Sequence, residues 1–226
     1  MNPTLLSIVI PVLNEAPTIG ASLACLQPLR KRGAEVIVVD GGSDDDTFLQ
    51  AQPCADVVMD APRGRARQMN AGAAAAQGTV LLFLHADTQL PPDADGLIRE
   101  AIQAGGVWGR FDVRIVGQHP VLRVVATLMN WRSRLTGLAT GDQAMFVCRD
   151  VFERVGGFRD QPLMEDIELS QRLRRLARPV CIPQQVATSG RRWETRGVWR
   201  TIFLMWRLRW RYWRGESADQ LAEAYR

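Results

Sequence analysis

The feature that most constrains this chain is an alternation. Over roughly its first hundred residues, short apolar β-branched runs take turns with stretches of helical spacing. Leu6-Ser7-Ile8-Val9-Ile10-Pro11-Val12, Glu35-Val36-Ile37-Val38-Val39-Asp40, Val57-Val58-Met59 and Val80-Leu81-Leu82-Phe83-Leu84 read as strands. The longer ones are apolar almost throughout, as in strands buried on both faces. Residues 16–26, with Ile19, Leu23 and Leu26 in helical register, the Ala-rich 65–77 and 93–104 read as helices. This βαβα order predicts an α/β fold, a mostly parallel sheet flanked by helices. Ligands then bind at the carboxyl ends of the strands. The polar residues collect there: Asn14-Glu15, Asp40 and His85-Ala86-Asp87.

The second half is more mixed. Residues 107–116 read as one long strand or a pair, 119–135 as a helix, Ala144-Met145-Phe146-Val147 as a strand, and 165–176 as a helix with Ile167, Leu173 and Leu176 inward. A last long helix is expected over 198–214, with 216–225 following. We divide the chain into a domain at 1–195 and a C-terminal helical extension at 196–226, packed on the domain or at an interface. A length of 226 residues, 46% hydrophobic and 23% charged, supports a substantial core and excludes intrinsic disorder. The net charge of +4 is carried almost entirely by arginine, Lys31 being the only lysine. It permits an anionic substrate, an acidic membrane surface or nucleic acid, and selects none of them. Cys25, Cys54, Cys148 and Cys181 are too dispersed for a zinc site or a disulfide framework. The apolar stretch at 5–13 has no basic run before it and reads as a strand, not a signal peptide. No apolar run approaches the ~20 residues that span a bilayer. The expected location is cytoplasmic, with any membrane contact peripheral.

Four segments have residue types suited to chemistry. In Asp40-Gly41-Gly42-Ser43-Asp44-Asp45-Asp46-Thr47 a carboxylate at a strand end precedes a glycine turn that lets backbone approach a ligand; a helix-capping turn is the structural alternative. In His85-Ala86-Asp87 a carboxylate can hold a hard divalent cation that bridges a diphosphate, or the segment is a turn leading to Pro91 and Pro92. Glu165-Asp166 opens a helix, where the dipole favours acids for structural reasons alone. Functionally, one of the pair could act as general base. Arg63-Gly64-Arg65-Ala66-Arg67 can contact phosphate or base, or be a solvated helix start; it is not a GxxxxGK[ST] phosphate loop.

Taken together, these segments resemble the family 2 glycosyltransferases of GT-A fold. The likeness runs from Ile8 through Glu15, Val39 to Thr47, Asn70-Ala71-Gly72 and His85-Ala86-Asp87, then Gly141-Asp142-Gln143, Gly156-Gly157-Phe158 and Glu165-Asp166. It looks closest to a bacterial subfamily encoded beside radical-SAM genes and associated with arsenosugar biosynthesis, through Ser189-Gly190-Arg191-Arg192-Trp193-Glu194 and the terminal Trp/Arg helix. The resemblance implies an inverting, metal-dependent transfer of a sugar from a nucleotide-diphosphate sugar, a UDP-sugar foremost, to a small-molecule or lipid acceptor. It places Pro11, Asn14, Glu15, Asp40, Ser43, Arg67, Gly72, His85, Ala86 and Asp87 at the donor. Asp87 would hold Mn²⁺ or Mg²⁺, Asp166 would be the catalytic base, and Gly141, Asp142, Gln143, Glu165 and Trp193 would line the acceptor side. His85 stands where the family's first DxD carboxylate is expected. The processive QxxRW signature is absent, with Arg191-Arg192-Trp193 near its place, which favours transfer of one sugar.

Trp199, Trp206, Trp210 and Trp213 fall on one face of the last long helix with Ile202 and Phe203; Arg200, Arg207, Arg211 and Arg214 repeat the spacing one residue on. The tryptophans could dock on the domain, on an anionic membrane surface or in a homodimer. Nucleic acid is disfavoured, because no binding module is recognisable. The rival functions are a non-catalytic nucleotide-sugar or membrane-surface module that keeps the fold, and a nucleotidyltransferase, which the missing N-terminal glycine-rich loop argues against. No GxGxxG follows the first strand, as a dehydrogenase would require.

Overall fold

A computed structural model describes residues 6–225. Residues 1–5 and 226, which the expected domain limits include, lie outside the described residues, as does the side chain of Arg192. In chain order the elements are β1 (Leu6–Val12), α1 (Ala16–Ala24), α2 (Gln27–Lys31), β2 (Glu35–Asp40), α3 (Thr47–Ala51), β3 (Val57–Asp60), α4 (Arg65–Ala75), β4 (Val80–Phe83), β5 (Thr88–Gln89) and α5 (Ala94–Gln103). There follow β6 (Trp108–Val116), α6 (Val121–Thr136), β7 (Met145–Cys148), α7 (Arg149–Arg154), α8 (Glu165–Leu176), β8 (Val180–Ser189), α9 (Arg191–Arg196), α10 (Val198–Trp213) and α11 (Ala218–Tyr225). The strands form one eight-stranded sheet in the order β3-β2-β1-β4-β7-β6-β8-β5. β3, β2, β1 and β4 are parallel; β7 runs antiparallel to both β4 and β6, and β6 is parallel to β8.

Period-two alternation assigns each strand's side chains to two cores. On one face Ile8, Ile10, Val36, Val38 and Leu82 pack with Ile19, Leu23 and Ile98. On the other, Val9, Ile37, Val39, Leu81 and Phe83 pack with Met69, Phe152, Leu169 and Leu173. The expected helix at 16–26 is broken in two: α1 ends at Ala24, and Leu26 caps α2, whose second residue is Pro28. Residues 107–116 make one strand and not a pair. β8 was not anticipated. Its sequence carries Pro183, Gln184 and Gln185, all exposed, which disguise a strand. The register against β6 jumps from Phe111↔Ile182 to Asp112↔Gln185, so Pro183 and Gln184 are absorbed in a bulge where no ladder donor is needed.

The C-terminal helices pack on the domain through residues other than the tryptophans. Val198 joins Ile115, Leu122 and Ala126, while Leu208 and Leu221 join Met164 and Ile167. At 3.6 residues per turn this packed face lies opposite the tryptophan face. Docking of the tryptophans on the domain is therefore corrected: Trp199, Trp206, Trp210 and Trp213 are all exposed, Trp213 at 81%. Among the described residues no helix is long and apolar enough to cross a membrane.

α4 approaches the sheet at Gly72, where an added Cβ would lie 2.4 Å from Val9 Cγ1 and 2.9 Å from Val39 Cγ2. Gly72→Ala should lower unfolding free energy by about 1–3 kcal/mol through overpacking, despite alanine's better helix propensity. Urea denaturation checks this; a variant as stable as the parent would contradict the close packing.

A candidate active site at the carboxyl edge of the sheet

β1 and β2 end side by side, and their polar continuations interlock. Asn14 adopts a left-handed conformation (φ 55°). Its N–H donates to Ser43 Oγ (2.9 Å), and its Oδ1 accepts from the Asp44 N–H (2.8 Å). The Glu15 N–H donates to Thr47 Oγ1 (2.8 Å), and Arg191 on α9 approaches Glu15 at 3.9 Å. Asp40 is buried at 1% exposure. Its Oδ1 accepts from the N–H groups of Gly42 (2.8 Å) and Ser43 (2.7 Å), whereas its buried Oδ2 has no partner among the described residues. Gln68 on α4 holds this edge together, its Nε2 donating to the carbonyls of Val12 (2.8 Å) and Val39 (2.9 Å). Its amide lies 3.0 Å from where a Gly41 side chain would begin, which explains that glycine.

Beside this cluster a cleft of about 170 Å³ is lined by His85, Asp87, Gly141, Asp142, Glu165, Asp166 and Trp193, with Arg65, Met205, Arg209 and Tyr225 along its walls. His85 Nδ1 lies 3.5 Å from Asp142 Oδ1. A Cβ on Gly141 would fall 2.3 Å from His85 Nε2, so the two segments can meet only with glycine there. Asp166 is held from both sides: its Oδ2 accepts from the Gly141 N–H (2.8 Å) and its Oδ1 from the Ile167 N–H (2.7 Å). Burial pushes the Asp166 carboxyl above its ordinary pKa, against those two hydrogen bonds; Asp142 adds to the rise and His85 opposes it. Burial also raises Glu165, with Asp166 adding to the rise and Arg65 opposing it. For Arg65 itself, crowding by protein works against the charge, but Glu165, Tyr225, Asp142 and Asp166 prevail and hold its pKa above the usual value.

The segment that delivers Asp166 is fastened at several points. Asn70 Nδ2 donates to the Phe158 carbonyl (2.8 Å), and the Phe158 N–H donates back to Asn70 Oδ1 (2.9 Å). Glu168 is paired with Arg172 and, at 3.1 Å, with Arg159, while Arg172 also donates to the carbonyls of Val155 and Gly157. Among the described residues the non-glycine residues with positive φ are Asn14, Ala144 and Met164. All three lie beside the site: after β1, after the Gly141–Gln143 turn, and immediately before Glu165. Backbone strain of about 1–3 kcal/mol per residue persists only where the surroundings enforce it.

Sequence-expected residues fall into two groups. Pro11, Asn14, Glu15, Asp40 and Ser43 gather at the ends of β1 and β2, and His85, Asp87, Gly141, Asp142, Glu165, Asp166 and Trp193 share the cleft. Four stand elsewhere. Arg67 is exposed in an ion pair with Asp160 (2.8 Å). Gly72 packs against Val9 and Val39 inside the fold. Ala86 is buried, its carbonyl accepting from Ser22 (2.6 Å). Gln143 is fully buried and completes a capping box with Thr140. Sequence reasoning missed Gln68, Arg209 and Tyr225, for which it holds no signal, and gave Arg191 a place in the Arg191-Arg192-Trp193 segment but no role. Arg65 did belong to the arginine run picked out, but spacing does not say which arginine lines the cleft.

Asp87 is half-buried and enters no ion pair among the described residues; its side chain meets only the neighbouring Thr88 hydroxyl, at 3.5 Å. Among the described residues its oxygens are otherwise uncommitted. No group of three or more His, Cys, Asp or Glu forms a ready metal cage among the described residues. One free carboxylate fits the way Mg²⁺ is commonly held, by one or two protein oxygens together with substrate phosphates and water.

The doubly covered, mostly parallel sheet with its flanking helices matches that of glycosyltransferases of GT-A fold. Solved structures share it. A 1–349 fragment of S. aureus TarS in complex with UDP-GlcNAc aligns with TM-score 0.67 and 16% identity, covering 82% of this chain and 58% of that one. The mannosyltransferase PcManGT from Pyrobaculum calidifontis, in complex with GDP-Man and Mn²⁺, aligns with TM-score 0.65 and 20% identity, covering 100% of this chain and 69% of that one. The glycosyl transferase family 2 model matches residues 7–162, and the chain belongs to that family. A PGL/p-HBAD biosynthesis glycosyltransferase of Mycobacterium bovis is 37% identical over 112 residues, 46% of this chain; the match spans only 43% of that relative's own length.

Asn70→Ala leaves the backbone polar groups of Phe158 without their partners and should cost about 1–3 kcal/mol. Asn70→Asp keeps the acceptor for the Phe158 N–H and should lose less. Equal stability of all three proteins in urea would show that the clamp does not hold the segment.

Proposed function

We propose that this chain transfers one sugar from a nucleotide-diphosphate sugar to a hydroxyl of a small-molecule or lipid acceptor, with inversion at the anomeric carbon. The observation that carries this reading is Asp166: a carboxylate in the cleft that holds Asp87, oriented by two backbone N–H groups and raised in pKa by burial. Asp166 accepts the proton of the acceptor hydroxyl. The freed oxygen bonds to the anomeric carbon as the bond to the nucleotide diphosphate breaks on the opposite face. Asp87 is the residue that would hold Mn²⁺ or Mg²⁺, and such a cation, when bound, stabilises charge on the departing diphosphate. Arg65 offsets the negative charge of Glu165 and Asp166.

The nucleoside lies along the ends of β1 and β2, near Pro11, Asn14, Glu15 and Ser43. The unpartnered Asp40 Oδ2 supports a base with a ring N–H to donate. Uracil, thymine and guanine have one; adenine and cytosine do not. A UDP-sugar is the foremost candidate. At about 170 Å³ the cleft is smaller than the roughly 300–1,000 Å³ usual for a complete ligand site, which suits the sugar and acceptor ends. Gly141, Asp142, Glu165 and Trp193 face the acceptor. Residues 1–195 make up the catalytic domain and 196–226 an extension that walls the cleft with Met205, Arg209 and Tyr225. The segment 189–194 supports a place in the radical-SAM-associated, arsenosugar-type subfamily.

Asp166→Asn should lower turnover by roughly 10²–10⁴-fold and leave donor affinity nearly intact. Unchanged turnover, or lost donor binding, would refute the assignment. The pH profile is a second check. Asp166 works ionised and its pKa is raised, so kcat/KM should fall on acidification at a pH above the range of an ordinary aspartate, about 3.9. Asp142→Asn should move that limb to lower pH, and His85→Gln to higher pH, as their electrostatic effects require. A limb that neither substitution moves would belong to another group.

A further inference from the structure

α6 and α10 present two exposed apolar ridges. On α6 the ridge is Val124, Leu128, Trp131 and Leu135; on α10 it is Trp199, Phe203, Trp206, Trp210 and Trp213. Each lies opposite the buried side of its own helix, Leu122, Ala126 and Ser133 in α6 and Thr201 and Leu208 in α10. The two helices meet in one apolar cluster, to which α6 contributes Leu122, Val125, Ala126 and Met129 and α10 contributes Val198 and Ile202. Neither helix contains a single Asp or Glu. Exposed arginines flank the ridges: Arg123 on α6, Arg200 and Arg207 on α10, and Arg214 at its C-terminal cap. Arg123, Arg200 and Arg207 enter no ion pair among the described residues, and Arg214 lies over the Trp210 ring at 4.7 Å.

We propose that this α6–α10 face docks on a bilayer surface that contains anionic phospholipid. Indole rings favour the headgroup level, where an apolar body and a polar N–H are both satisfied. The arginines, without acidic neighbours on either helix, complement negative lipid headgroups. A second copy of this chain complements the face poorly. A two-fold contact sets a patch against itself, and here it would bring arginine rows together with no carboxylate from either helix between them. At 16 residues α10 is about 24 Å long, short of the ~30 Å hydrocarbon core, so it lies in the interface and does not span it. Its other side, through Thr201, Met205 and Arg209, lines the cleft, so docking holds the cleft about one helix diameter, roughly 10 Å, from the headgroup layer. The proposal stands on exposed side chains and does not depend on the assignment of Asp166 or Asp87.

The test is flotation of the full chain with phosphatidylcholine vesicles, with and without phosphatidylglycerol, together with tryptophan emission. We expect co-flotation with the anionic vesicles, a blue-shifted emission, and weakening at high ionic strength. Arg200→Gln and Arg207→Gln should each lower the partition coefficient about fivefold, and Trp206→Ser with Trp210→Ser should abolish flotation while the far-ultraviolet circular dichroism and melting curve stay unchanged. Failure of the parent chain to float with anionic vesicles overturns the proposal, as does flotation that the tryptophan substitutions leave intact. Sedimentation equilibrium separates the rival occupant: a dimer that the same substitutions dissolve, with no vesicle binding, assigns the face to a second copy.

Discussion

Both faces of the central strands β2, β1 and β4 are sealed by apolar side chains, which leaves polar groups to the strand ends. Ile8, Val36, Val38 and Leu82 face one core, and Val9, Ile37, Val39 and Leu81 the other, each at 0% exposure. A carboxylate within such a strand would lose its water without gaining a partner. At the carboxyl ends the chain leaves the sheet, and there backbone N–H groups fix Asn14 and Asp40 while Asp87 stands half-buried beside the cleft. The parallel order of these strands places the ends at one edge, so residues far apart in sequence share one site.

Crowding acids at that edge has consequences that the surrounding structure contains. Glu165 and Asp166 are adjacent, both are raised in pKa by burial, and Asp142 lies close by. Arg65 and the N–H groups of Gly141 and Ile167 offset the concentration of charge. The same region holds Ala144 and Met164 in left-handed conformations. Fastening by Asn70 and by the Glu168–Arg172 pair keeps the geometry from relaxing. The Asp166 carboxylate is thereby less acidic than one in water and fixed in direction.

Much of this was legible in the sequence, because burial on two faces writes itself as unbroken apolar runs. β1, β2 and α8 stand at the residues their patterns marked. Elements lacking such a signature did not show. α3 and α7 are five and six residues long, too short for a helical period. β8 hides its pairing behind Pro183 and its bulge. At the site, strand-end carboxylates were visible, but facing directions were not. Arg65 and Arg67 are equivalent in spacing, yet α4 begins so that one lines the cleft and the other pairs with Asp160 in solvent. The tryptophan stripe of α10 marks a face but not its direction, and the packed residues are Val198, Thr201 and Leu208 on the opposite side.

In the proposed function this edge binds a nucleotide diphosphate through Asp87 and a divalent cation, with Asp40 reading the base. Titration calorimetry of UDP, GDP, dTDP and ADP, with and without Mn²⁺, on the parent chain and on Asp87→Ala tests it most directly. The account predicts Mn²⁺-dependent binding of a nucleotide whose base carries a ring N–H, weak or no binding of ADP, and loss of the metal dependence in Asp87→Ala. Binding that ignores both Mn²⁺ and Asp87, or no binding of any nucleotide, would contradict it.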